Sequence, residues 1–301
     1  MPSATRLSTR HREWLAGYLF VLPDAIGLAL FIGLPAAMAL FVSVYSFDAF
    51  GDFTFVGTAH YRRMLVDPLF WKSLRVTVVF AIALVPLLYA TGLALALLVQ
   101  QTNRYNAVMR SMLFAPQMVS LVVIGLVWQL IVVDKIGAFP RMLAAIGLEP
   151  ISFLGDPRFA LMTVTLVAVW FLMGFYMLVF LGGLQDIPRE YYEAAEMDGA
   201  GPLARFWYIT LPLLRPTSFF VLLVSTVSAV AGAHIFDLVY VMTRGGPANA
   251  TSLLITYIYQ HAFQFGDFGY ASAMSAVLVA LLAAVSALFF AVTRAGRFQF
   301  D

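Results

Sequence analysis

Six stretches of the chain are apolar on every side rather than along one stripe: 26–45, 76–99, 112–133, 159–184, 217–242 and 271–293. A hydrocarbon layer about 30 Å thick takes about 20 helical residues to cross, so each stretch is long enough to span it. Five hold no charged residue, and the fifth carries His234 and Asp237. Strands would have to alternate in polarity and close into a barrel, which leaves helix as the conformation these runs can adopt in lipid. Pro35, Pro86 and Pro116 lie inside the runs and predict kinks rather than ends. Before the first run, 15–22 is also apolar, but Pro23-Asp24 predicts a break, either an interfacial elbow or a bent extension of the first helix.

Polar residues concentrate in the connections. Gln100 to Arg110 is short, whereas 46–74, 134–158 and 243–270 are longer and carry turn signals such as Gly245-Gly246-Pro247. With the N-terminus inside, ten of the eighteen basic residues fall on inner segments: Arg6, Arg10, Arg12, Arg104, Arg110, Arg189, Arg205, Arg215, Arg294 and Arg297. That bias favours cytoplasmic N- and C-termini. The basic N-terminus resembles a secretory signal, with Ala37-Met38-Ala39 as a cleavage mimic. The apolar region is far longer than a signal core, so an uncleaved first span is expected.

Composition then narrows the chemistry. The 301 residues are 62% hydrophobic and 11% charged, more apolar surface than a soluble core can absorb. The net charge of +2 is scattered, with no run that would track a nucleic acid. Without cysteine there is no thiolate nucleophile or metal ligand. The four histidines, His11, His60, His234 and His261, are far apart and no metal site or catalytic residue is expected.

The segment 185–215 between the fourth and fifth runs is the most informative. Pro188 suits a helix start, Glu190 and Glu193 lie towards the positive helix end, and Gly199 stops the helix. Tyr191, Ala194, Ala195 and Asp198 share one face. Small alanines flanked by carboxylates suit a docking surface that meets a partner's arginines. A solvated helix–turn–helix that merely joins two spans fits the same pattern.

The string Glu193-Ala194-Ala195, three residues, Gly199, nine residues, then Ile209-x-Leu211-Pro212 resembles the EAA loop of binding-protein-dependent ABC importer permeases. Leu34-Pro35, Phe55-Val56-Gly57 with Tyr61, Phe114-Ala115-Pro116, Thr243 to Pro247 and Gly269-Tyr270-Ala271 resemble the carbohydrate and glycerol-phosphate subgroup. His60 stands where many relatives have Asn. The resemblance implies an all-α, six-span membrane protein with a cytoplasmic tail, 1–13, and a permease domain, 14–301, in a bacterial inner membrane. It implies a second homologous permease, two copies of a cytoplasmic ATPase and an extracytoplasmic solute-binding protein. It also implies that Glu190, Glu193, Ala194, Ala195, Asp198, Gly199, Ile209, Leu211 and Pro212 couple the chain to that ATPase.

The chain itself carries no phosphate-binding loop: neither Lys72 nor Lys135 follows glycine. ATP and magnesium therefore belong on the partner ATPase, and no cofactor is expected here. For the substrate path, the resemblance points to the spans flanking the loop, near Phe171, Phe175, Ser228 and Gly232. Tyr176 offers a further aromatic ring. His234 and Asp237 are ionisable groups at membrane depth, where such groups usually face a cavity. Packing explains any single aromatic equally well, and Ser or Thr can bond back to its own helix. No Lys or Arg lies inside a run, which leans towards a neutral sugar over glycerol-3-phosphate. A membrane-embedded enzyme lacks a recognisable motif, and a secondary transporter would show inverted repeats, which are not visible.

Overall fold

The computed structural model describes residues 9–47, 53–134, 136–147 and 151–292. Arg6, Lys135, Arg294 and Arg297 lie outside the described residues, as does most of the 1–13 tail. The chain forms two compact units, Met1–Leu65 with His261–Val277, and Val66–Gln260 with Leu278–Asp301.

In the first unit, α1 (Thr9–Leu28), a π-helical turn (Ala29–Gly33) and α2 (Leu34–Val42) follow one another without a break. Pro23 lies inside α1, so 15–22 extends the first helix, the second of the two expected alternatives, and is not set off by a break at Pro23-Asp24. The apolar helix begins at Ala16, ten residues before the expected start. The widened turn before Pro35 absorbs the hydrogen bond that proline cannot donate. No residue of the apolar window is buried.

A hairpin follows, β1 (Tyr45–Phe47) with β2 (Phe53–Phe55), in which Tyr45 opposes Phe55. The Tyr45 and Phe53 rings stack at 4.4 Å. Then comes α3 (Ala59–Val66). His60 Nε2 lies 3.0 Å from the Tyr45 carbonyl oxygen, which can only accept, so Nε2 carries the proton. Gly269 packs against both partners, with no room for a Cβ.

Arg63 of α3 donates to Asp267 Oδ2 at 2.6 Å and lies 4.2 Å over the Tyr270 ring. Burial alone would raise the Asp267 pKa, but hydrogen bonds from His261, Arg63 and the Tyr270 backbone outweigh it and hold the carboxyl below the usual carboxylate range. A depressed folded-state pKa stabilises above the unfolded value of about 3.9 and is lost as pH falls towards the folded value. Asp267→Asn is therefore expected to lower the melting temperature of the purified protein at pH 7. The deficit narrows below about pH 4, as a pH series of thermal melts would record.

The second unit is built around α4 (Pro68–Leu98) and α8 (Pro157–Gln185). Asp67 caps α4, accepting from the Leu69 and Phe70 amides, and its other oxygen accepts from the Tyr257 hydroxyl at 2.8 Å. Asp67→Ala removes the cap and the Tyr257 bond and is expected to cost about 1–3 kcal/mol of stability, measurable as a drop in Tm. Of α8's apolar window, 67% is buried, against 33% for α4, so α8 is the axis of this unit. Small residues set its spacing. Gly92 of α4 faces Tyr176, where an added Cβ would come within 2.9 Å of the Tyr176 Cβ. The Tyr89 hydroxyl hydrogen-bonds Ser218 at 2.9 Å.

The expected third span is not one helix. α5 (Arg104–Phe114) and a 3-10 turn (Ala115–Met118) meet α6 (Leu121–Val132) at 95°. Pro116 stands in the turn, and Val119 and Ser120 adopt extended ψ values of 144° and 131°. Pro116 thus helps end a helix rather than kink it. α7 (Ala138–Ala145) lies in the following connection.

After α8 come α9 (Arg189–Met197), α10 (Pro202–Arg205), a π turn (Phe206–Thr210) and α11 (Leu211–Leu213). The segment Pro202–Leu213 meets α12 (Arg215–Ala231) at 66°. The fifth expected span is also divided: Gly232, extended at ψ 130°, separates α12 from α13 (Ala233–Met242). α14 (Leu254–Tyr259) precedes α15 (Phe268–Val292), a single apolar helix. Among the described residues, four helices are long and apolar enough to cross a membrane, or up to six spans if each bent pair counts as one.

Candidate coupling loop and translocation site

α9 buries none of its residues. Gly199 ends it at φ +78°, a conformation a side chain resists, and Ala200 donates back to Ala195 while Gly199 donates to Glu196. Glu190, Glu193, Ala194, Asp198 and Gly199 are exposed and Ala195 is half-buried. Ile209, Leu211 and Pro212 are half-buried at the elbow below α12 rather than on the exposed helix. Two contacts pin the loop. The Tyr192 and Thr210 hydroxyls meet at 3.0 Å, and Arg205 pairs with Glu196 at 3.3 Å.

Sequence reasoning missed those four residues, because nothing local joins Tyr192 to a threonine eighteen positions on. It also missed the exposed apolar side chains of this segment. Met197 is 88% exposed, Tyr208 83% and Leu203 72%. Large apolar side chains left this exposed outside the spans suit a contact surface.

The second group of expected residues lies around the middle of α8 and the break in the fifth span. Phe171 is buried, with its ring 6.5 Å from the exposed His234 ring. The Gln117 amide, from the bend between α5 and α6, donates to the Phe171 carbonyl at 3.0 Å. Gln117 was not foreseen, since its partner is 54 positions away. Tyr176 is buried with its hydroxyl set against Ser228, and Gly232 accepts from the Ile235 and Phe236 amides as α13 restarts. Phe175 is exposed and touches Tyr176 edge-on at 5.3 Å. Asp237 stands apart from this group, half-buried one turn further along α13.

Aromatic faces, hydroxyls, an amide and an imidazole can recognise a polar solute. They hold no paired acid and base, and no group of three or more potential metal ligands occurs among the described residues.

Residues 89–296 match the family described as binding-protein-dependent transport system inner membrane component. The chain belongs to this family. The permease is 36% identical to the sulfoquinovosyl glycerol transport system permease of Agrobacterium fabrum, covering 93% of this chain and 91% of that one. It is 33% identical to the trehalose/maltose transport system permease of Thermococcus litoralis, covering 97% of each. It is also 35% identical to the sn-glycerol-3-phosphate transport system permease of Brucella abortus biovar 1, covering 91% and 92%. In fold, it superposes with TM-score 0.81 and 21% identity on a chain of a bacterial ABC transporter involved in import of the acidic polysaccharide alginate, over 95% and 97% of the two. The permease is thus a helical, multi-pass membrane subunit of an ABC importer, a transport component and not an enzyme.

Proposed function

We propose that this permease forms half of the path for a sugar or closely related small polar solute. A second, homologous permease completes the path, a binding protein delivers the solute from outside, and two cytoplasmic ATPase subunits drive import. The observation that carries this reading is the exposed α9, ended by Gly199 and carrying Glu190, Glu193 and Met197, with Asp198 at its end and the exposed Leu203 and Tyr208 following in the chain. Burial of those apolar side chains against the ATPase would yield roughly 1.5–3 kcal/mol each, and the carboxylates would select arginines on it. ATP and magnesium sit on that partner. The 185–215 loop and both termini then lie in the cytoplasm, with the chain in the inner membrane.

Closure of the ATPases pulls on α9, and the Tyr192–Thr210 contact passes that motion to the elbow of α12. The breaks at Gly232 and at Val119-Ser120 let parts of the spans tilt separately, since each is a non-helical joint between packed helices. Phe171, Phe175, Tyr176, Ser228, Gly232 and His234 line the solute's route, with Asp237 beyond them. Relatives named for trehalose/maltose and for lactose support a sugar. The relative named for sn-glycerol-3-phosphate supplies the second reading. Reconstitution with the ATPase, partner permease and binding protein in liposomes tests both. A sugar that stimulates ATP hydrolysis through the binding protein is the expected result, and stimulation by sn-glycerol-3-phosphate alone would replace it with the second reading.

A further inference from the structure

α13 has two unlike faces. Ile235, Leu238, Val239 and Met242 are buried, and Leu238 and Val241 lie over Gly125 of α6. At 100° per residue, Ala233, Phe236, Asp237 and Tyr240 fall on the side opposite that buried set. There the Phe236 and Tyr240 rings stack at 5.4 Å and 22°. Tyr259 of α14 closes on both, at 4.9 Å from Phe236 and 5.2 Å from Tyr240. All three rings and Asp237 remain half-buried. The cluster lies past the Gly232 break, on the far side of it from the coupling loop along the chain.

We infer that this face of α13, built from Phe236, Asp237 and Tyr240 with Tyr259, is a stacking station for a neutral carbohydrate on its way to the Phe171–His234 region. The inference rests on the importer reading above. Ionisable groups within a span usually face the bundle interior or a watery cavity, and Asp237 shares this face with the rings. A pyranose has the matching chemistry: an apolar C–H face to lie on an aromatic ring and hydroxyls to donate to Asp237 and the phenols. Neither α13 nor α14 contains Lys or Arg. A phosphate or sulfonate would therefore meet Asp237 without a neutralising cation on these helices, an unfavourable like-charge contact. The station admits neutral sugars and disfavours anions.

The test uses the complete importer in proteoliposomes, with neutral mono-, di- and oligosaccharides and sn-glycerol-3-phosphate as probes. A neutral carbohydrate is the expected stimulating solute. Phe236→Leu and Tyr240→Leu keep apolar bulk but remove the ring, and each is expected to lower its uptake about tenfold. Tyr240→Trp, which keeps a ring, stays near the parent. Subunit assembly remains unchanged in all three. Leucine variants that transport like the parent overturn the station, as does a stimulating solute that is anionic. Leucine variants that fail to assemble with the partner permease overturn it too, because the face is then a subunit contact. A complex that never assembles with the ATPase in the parent sequence sinks the importer reading instead.

Discussion

Glu193→Arg is expected to abolish solute-stimulated ATP hydrolysis and uptake while leaving the purified permease folded. Glu193 is exposed on α9, so reversing its charge removes no contact inside the chain and the melting temperature should hold. On the proposed docking of α9, the same position meets the ATPase in the assembled importer. Placing a like charge against arginines in a desolvated interface costs about 2–5 kcal/mol, or at least roughly a thirtyfold loss of coupling. Gly199→Val gives a related defect by another route. Its Cβ meets no atom, but a β-branched residue resists φ +78°, so α9 would end differently. Side-by-side thermal melts and ATP hydrolysis assays separate the two effects: stability unchanged and coupling lost for Glu193→Arg, both reduced for Gly199→Val.

Gly174→Val carries the largest expected cost to folding. Gly174 lies in the middle of α8, and a Cβ there would come 2.8 Å from the Leu113 carbonyl carbon and 2.9 Å from the Phe114 Cα. Both are backbone atoms, so no flexible side chain can yield. Valine adds two methyl groups beyond that Cβ. The end of α5 must then move away from α8, dragging the Gln117 amide off the Phe171 carbonyl. Overpacking of this kind costs about 1–3 kcal/mol and occasionally more, and here it also disturbs the region assigned to the solute. Lower yield of monodisperse protein in detergent and loss of uptake are expected together. Gly182→Val on the same helix, where a Cβ meets nothing, serves as the control and stays near the parent.

The sequence shows the helices whose composition alone decides them. The runs at 76–99, 159–184 and 271–293 appear as α4, α8 and α15, because an all-apolar stretch of that length has no competing conformation in lipid. Hydropathy is blind to a local change of ψ, and so the third and fifth runs read as single spans. Val119, Ser120 and Gly232 are as uncharged as their neighbours, yet each leaves the helical region. Pro23 misleads in the opposite direction, since a proline beside a charged residue looks like a stop but stands inside α1.

The coupling loop is legible because its constraints are local: a start, a face and a glycine that must adopt positive φ. What fixes the loop to the spans is not local. Tyr192 to Thr210 and Gln117 to Phe171 are contacts between separate elements. No pattern of spacing announces either one. The aromatic face of α13 falls between these cases. Phe236 and Tyr240 are visible as a pair at i and i+4, but only the fold brings Tyr259 onto them.

The docking role of α9 is the claim on which the account turns, and the absence of cysteine from the chain allows a clean measurement of it. Ala194→Cys places a single thiol on the exposed helix, to be labelled with a membrane-impermeant maleimide from the cytoplasmic side, with and without the ATPase subunits. The account predicts fast labelling of the permease alone and strong protection once the ATPase is bound, with Ala248→Cys inaccessible from that side throughout. Equal labelling of Ala194→Cys with and without bound ATPase would contradict it.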